Sequence, residues 1–147
     1  MHRLWEPLAD KQRPPNGYAG KFSTPYCIAA AFVHGNVGLD AFTDAAVKEE
    51  RVLALAGKVR FTIDPDNPYP EEFTGHIRAT LRDGSVIEER QPHLRGGAHE
   101  PLTRADIEEK FALNAHHGGW GNDRVAAALK LTDRLFDGHI DLKPLRG

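Results

Sequence analysis

Two hydrophobic periods alternate along the chain. From Thr24 to His34 the run TPYCIAAAFVH is apolar at nearly every position, which predicts a helix buried almost all round. Ser23 or Thr24 can cap its first free N–H groups, Pro25 suits the first turn, and Gly35 is placed as the stop. A second helical region is predicted over about residues 40–56, broken near Lys48, with Phe42, Ala45, Ala46, Val52, Leu53 and Leu55 available for burial. The period then falls to two. Val59, Phe61 and Ile63 alternate with Arg60 and Thr62, the pattern of a half-buried strand. Phe73, Ile77, Ala79 and Leu81 alternate with Thr74, His76, Arg78 and Thr80, and Asp83-Gly84 supplies a hairpin turn into a strand over 85–91. The intervening DPDNPYPEE, 64–72, reads as a turn-rich loop.

Helical spacing returns after the hairpin. Thr103 and Asp106 make a capping-box-like start, with Ile107, Phe111 and Ala115 on one face. A last helix is predicted over about 122–137, carrying Val125, Ala128, Leu129, Leu135 and Phe136, with Gly138 as its stop. The expected fold is α+β: an antiparallel sheet of three or more strands, including the hairpin, packed against helices. Residues 1–20, with three prolines and two glycines, read as an extended N-terminal arm, and 21–147 as a single α+β domain.

Composition narrows the function classes. At 147 residues with 40% apolar residues, the chain can bury a core of its own. A net charge of −2 argues against nucleic acid and anionic membrane surfaces as partners. No apolar run has transmembrane length and the first residues lack a signal-peptide pattern, so the expected location is cytoplasmic. The lone Cys27 cannot form an internal disulfide and reads as a small core residue.

The head of the Thr24–His34 helix is the leading chemical candidate, because Lys21, Ser23, Tyr26 and the helix N-terminus together suit an anion. The alternative is a core helix with ordinary caps. In the loop LRGGAH, 94–99, Arg95 could fork onto a carboxylate, or the loop could simply join strand to helix. His93, His99, His116 and His117 follow no metal-binding spacing, so no metal and no cofactor is expected. GGWGN, 118–122, reads as an interhelical turn with Trp120 packed into a groove.

The run RPPNGYAGKFSTPYCIAAAFVHGNVGLDAFTD, followed by KVRFTID, LRDGS and RGGAHEPLTRADIEEKF, resembles the C-terminal domain of the MmgE/PrpD family in order and spacing. That family includes 2-methylcitrate dehydratase, cis-aconitate decarboxylase and iminodisuccinate epimerase, two-domain proteins substantially longer than this chain. The resemblance implies metal-free lyase or isomerase chemistry on small di- and tricarboxylates, with the main acid–base groups in an N-terminal helical domain and the second domain closing the pocket. Carried over by position, Tyr26 is the catalytic candidate on the pocket wall, with Lys21, Ser23 and Arg95 as substrate-binding candidates. The chain is then expected to be the pocket-closing domain alone: a fragment, a split-enzyme subunit or a reduced paralogue, inactive without its helical partner. A lid parted from its mate would expose an apolar patch, which predicts a homo-oligomer or a complex with an N-terminal helical domain. The rival reading is a non-catalytic interaction or structural domain that keeps the fold.

Overall fold

A computed structural model describes residues 2–138 and 141–143, so the ends of the 1–20 arm and of the 21–147 domain, at Met1 and 144–147, lie outside the described residues. The elements are α1 (Leu8–Gln12), α2 (Gly17–Gly20), α3 (Thr24–His34), α4 (Glu50–Ala56), β1 (Gly75–Thr80), β2 (Val86–Gln91), α5 (Arg104–His117) and α6 (Asn122–Thr132), with short 3-10 turns at His2–Leu4, Leu39–Phe42 and Ala46–Lys48. The fold is α+β. The chain gathers into two compact units, one of residues 1–62 with 111–147 and one of residues 63–110.

In the first unit α3 behaves locally as its sequence dictates. Ser23 Oγ accepts the Tyr26 N–H at 3.1 Å, Pro25 lies in the first turn, and Gly35 ends the helix at φ +80°, its N–H on the Ala31 carbonyl at 2.8 Å. The helix is not buried all round. Tyr26, Ala29 and Ala30 form the core with Val47, Val52 and Ala56, whereas Phe32 on the other face is half exposed. Small side chains at the contact let α3 and α4 approach closely, and each fully buried valine stabilises the unit by roughly 1.5–3 kcal/mol. Residues 40–56 are broken as expected, a 3-10 turn at Ala46–Lys48 preceding α4.

Residues 1–20, expected to be extended, instead coil into short helices. Asn16 caps α2 by accepting the Ala19 N–H at 2.8 Å, and buried Gly17 donates its N–H to Asp44 Oδ1 at 2.8 Å. These bonds satisfy backbone groups that an extended arm would leave to water. The helix after Trp120 is shorter than predicted, ending at Thr132 and leaving Leu135 and Phe136 exposed.

The second unit holds the hairpin. β1 and β2 pair antiparallel in the register Ile77↔Glu89 and Ala79↔Ile87, and the turn places Gly84 at φ +86°. Among the described residues the sheet has two strands, because Val59–Ile63 forms none. Side chains take the place of a partner strand there: Gln12 Nε2 donates to the carbonyls of Val59 at 2.9 Å and Gly57 at 3.3 Å, and Arg60 to the same two. All strand residues are exposed except half-buried Ala79, so the expected helical cover is missing within this unit. Thr103 opens α5 with a reciprocal capping box, its Oγ1 accepting the Asp106 N–H at 3.1 Å and its N–H donating to Asp106 Oδ2 at 2.8 Å. Among the described residues no helix is long and apolar enough to cross a membrane.

Among the described glycines, Gly17 leaves the least room for a side chain. A Cβ there would lie 1.9 Å from the Phe42 carbonyl oxygen, which is backbone and cannot swing aside. Gly17→Ala is therefore expected to cost at least about 2 kcal/mol, read as a lowered denaturation midpoint with unchanged slope. A loss under about 0.5 kcal/mol would contradict this packing.

Candidate functional site

The sequence-predicted residues fall into two places. Lys21, Ser23 and Tyr26 lie together where α2 meets α3 in the first unit, and Arg95 belongs to the second unit. At the α3 start the hydroxyls turn inward. Ser23 is 1% exposed, and its Oγ donates to the Lys11 carbonyl while accepting the Tyr26 N–H. Tyr26 is 1% exposed, and its hydroxyl donates to the Ala41 carbonyl at 2.5 Å. Both groups therefore bond to the chain's own backbone rather than face a ligand. Burial pushes the Tyr26 phenol above its ordinary value, with smaller contributions from Cys27 and Glu49.

Lys21 differs. It is exposed and forms no ion pair among the described residues. Lys11 sits close by, its ammonium donating to the Phe22 carbonyl at 2.8 Å, and Tyr18 packs its ring on Phe22 with centroids 5.2 Å apart. Tyr18, Lys21 and Phe22 are spaced i, i+3 and i+4 on one helical turn, so they share a face. Lys11 and Tyr18 escape a sequence reading that takes residues 1–20 as an extended arm; the legible signal is the Asn16 cap, which makes a helical turn of Gly17–Gly20.

In the second unit Arg95 Nη2 contacts Asp106 Oδ1 at 2.8 Å, so the guanidinium already holds a carboxylate of its own chain. Hydrogen bonds from Thr103, with a lesser contribution from Arg95, hold the Asp106 carboxyl below its usual range. The loop closes through Gly96, at φ +90°, whose N–H donates to the Glu100 carbonyl at 2.7 Å. A shallow cavity of about 180 Å³ lies against this loop, lined by Glu72, Phe73, His93, Leu94, Gly97 and His99. The rings of His93 and His99 are 4.9 Å apart, and His93 Nδ1 is 3.6 Å from Glu72 Oε2. Among the described residues no three His, Cys, Asp or Glu side chains are grouped to hold a metal ion. His116 Nδ1 meets the Trp120 carbonyl at 2.8 Å and His117 pairs with Asp40 at 2.5 Å, both within the first unit. Trp120 packs edge-on to Phe111 with Arg124 over its ring at 4.0 Å, in the turn that the sequence predicts.

The buried phenol carries a pH signature. Tyr26 is neutral in the folded chain and ionises near 10.0 when unfolded, so its contribution to stability is complete below pH 10 and fades as pH rises toward the higher folded value. Tyr26→Phe removes the bond to Ala41 and is expected to lower stability by about 1 kcal/mol at pH 7 while flattening the alkaline loss. Thermal melts of both proteins between pH 7 and 11 check this. Identical alkaline profiles would contradict the buried, bonded phenol.

Residues 2–133 match the profile of the MmgE/PrpD C-terminal domain. The chain is 29% identical over 126 residues to the human cis-aconitate decarboxylase, covering 84% of this chain and 26% of that protein. The mouse cis-aconitate decarboxylase gives 29% over 125 residues, 84% of this chain and 25% of the relative. The mitochondrial 2-methylcitrate dehydratase of Yarrowia lipolytica is 29% identical over 89 residues, 56% of this chain and 17% of its own length. The chain thus spans about a quarter or less of the curated relatives it matches. With nearly its whole length matched to that domain, the chain belongs to the MmgE/PrpD family.

Proposed function

We propose that this chain serves as the pocket-closing, second-domain part of an MmgE/PrpD-type lyase or isomerase acting on small di- or tricarboxylates. The observation that carries the reading is the match to that family's C-terminal domain over residues 2–133, with relatives named for cis-aconitate and 2-methylcitrate. Removing a proton next to a carboxylate builds negative charge on that carboxylate, and fixed cations stabilise it. Lys21, exposed and without an ion-pair partner among the described residues, is the group for that role, whereas Arg95, in the second unit, holds Asp106. Tyr26 and Ser23 act as the wall behind Lys21, since their hydroxyls are engaged by backbone. The acid–base groups are supplied by an N-terminal helical domain, and the assembly is a homo-oligomer or a complex with such a domain, in the cytoplasm. Neither nucleic acid nor membrane is a partner in this reading.

A second reading is favoured by the same inward-turned hydroxyls. With Tyr26 and Ser23 closing the fold, the domain could keep its shape for interaction alone.

Activity and binding separate the two. The chain by itself is expected to give no measurable turnover of cis-aconitate or 2-methylcitrate, because positioned bases supply factors that binding alone does not. It is expected to bind citrate weakly, with a Kd on the order of millimolar, and Lys21→Met is expected to weaken that binding about fivefold. Robust turnover by the chain alone would overturn the partial-site reading. Citrate binding that is absent, or insensitive to Lys21→Met, would favour the interaction domain.

A further inference from the structure

Resting on the proposed role of Lys21, we infer that the face around Phe22 is a two-cation polycarboxylate site in which Lys11 and Lys21 each take one carboxylate and Tyr18, rather than Tyr26, supplies the phenol. Three observations converge on it. Both ammonium groups lack an ion-pair partner among the described residues, and the bond from Lys11 to the Phe22 carbonyl leaves two of its three N–H donors free. That bond also fixes the Lys11 ammonium beside Phe22, the residue that follows Lys21, so one cation is held by the fold next to the backbone position from which the other extends. Tyr18 is 73% exposed with no hydrogen bond on its hydroxyl among the described residues, and its ring is held against Phe22, itself 45% exposed. An exposed aromatic pair is apolar surface left open to water, and a small acid with a short carbon backbone can cover it. The carboxylate fixed to this turn, Asp44, is engaged by the Gly17 N–H.

The chemistry selects for charge number. Two ammonium groups and one phenol donor match a ligand with two or three carboxylates on adjoining carbons and discriminate against one with a single carboxylate, because the second cation then stays unpaired.

The test is an NMR titration of the whole chain with tricarballylate, acetate and neutral triacetin at constant ionic strength. Tricarballylate is expected to shift Lys11, Tyr18 and Lys21 and to bind about tenfold more tightly than acetate, with triacetin inert. Tyr18→Phe is expected to weaken binding about threefold and Lys11→Met about fivefold. Because Lys11→Met also removes the clamp on Phe22, its melting temperature is measured alongside, and Tyr18→Phe, at an exposed position, provides the variant that leaves the fold intact. Acetate binding as tightly as tricarballylate would overturn the two-cation site. So would an effect of Lys21→Met with none from Tyr18→Phe, which would leave the proposed function standing. Insensitivity to Lys21→Met would remove both.

Discussion

Ser23 is the hinge pin of the first unit. One hydroxyl performs two tasks: it accepts the Tyr26 N–H that opens α3, and it donates to the Lys11 carbonyl at the end of α1. Lys11 answers with its ammonium on the Phe22 carbonyl, so α1 and α3 are joined by a reciprocal pair of bonds across two adjacent residues. Since Ser23 is 1% exposed, loss of the hydroxyl would leave buried backbone groups without partners, which costs more than the bond itself contributes. The position of Tyr26, and through its bond to Ala41 the 3-10 turn at Leu39–Phe42, follows from that anchor.

This anchoring changes how the helix start can function. A helix N-terminus with a lysine and a tyrosine nearby suits an anion only if its donors and hydroxyls face outward. Here the cap is internal and the phenol is buried, so what lies exposed beside it is Lys21 at the end of α2 and the aromatic pair of Tyr18 and Phe22. Family membership supplies the substrate class to ask about, and the surface of this turn supplies the residues to ask it of.

The second unit is built differently. Its order comes from local devices: the Gly84 turn, the Thr103–Asp106 capping box, the His76–Glu88 hydrogen bond and the Arg95–Asp106 ion pair. None of residues 63–110 is buried, so hydrophobic burial contributes little there. Exposed pairs of this kind contribute little each.

What the sequence determined by itself is everything set by neighbours in the chain. The caps of α3 and α5, the Gly35 stop, the break before α4, the hairpin and its turn all follow from side chains a few residues apart, where geometry is fixed by the backbone. The family was legible for a related reason, since a motif in order and spacing is a linear signal. Tertiary structure alone decided the rest. Val59–Ile63 has the alternation of a strand but no partner strand among the described residues, and Gln12 satisfies the Val59 carbonyl across 47 residues of chain. Residues 1–20 have the composition of an arm, yet Gly17 can fold against Phe42 because it lacks a Cβ. Tyr26 has the position of a site residue, but whether a phenol meets a ligand or a carbonyl depends on where Ala41 comes to lie. Periodicity records which residues prefer burial, whereas contacts between residues far apart in the chain decide which groups remain free to act.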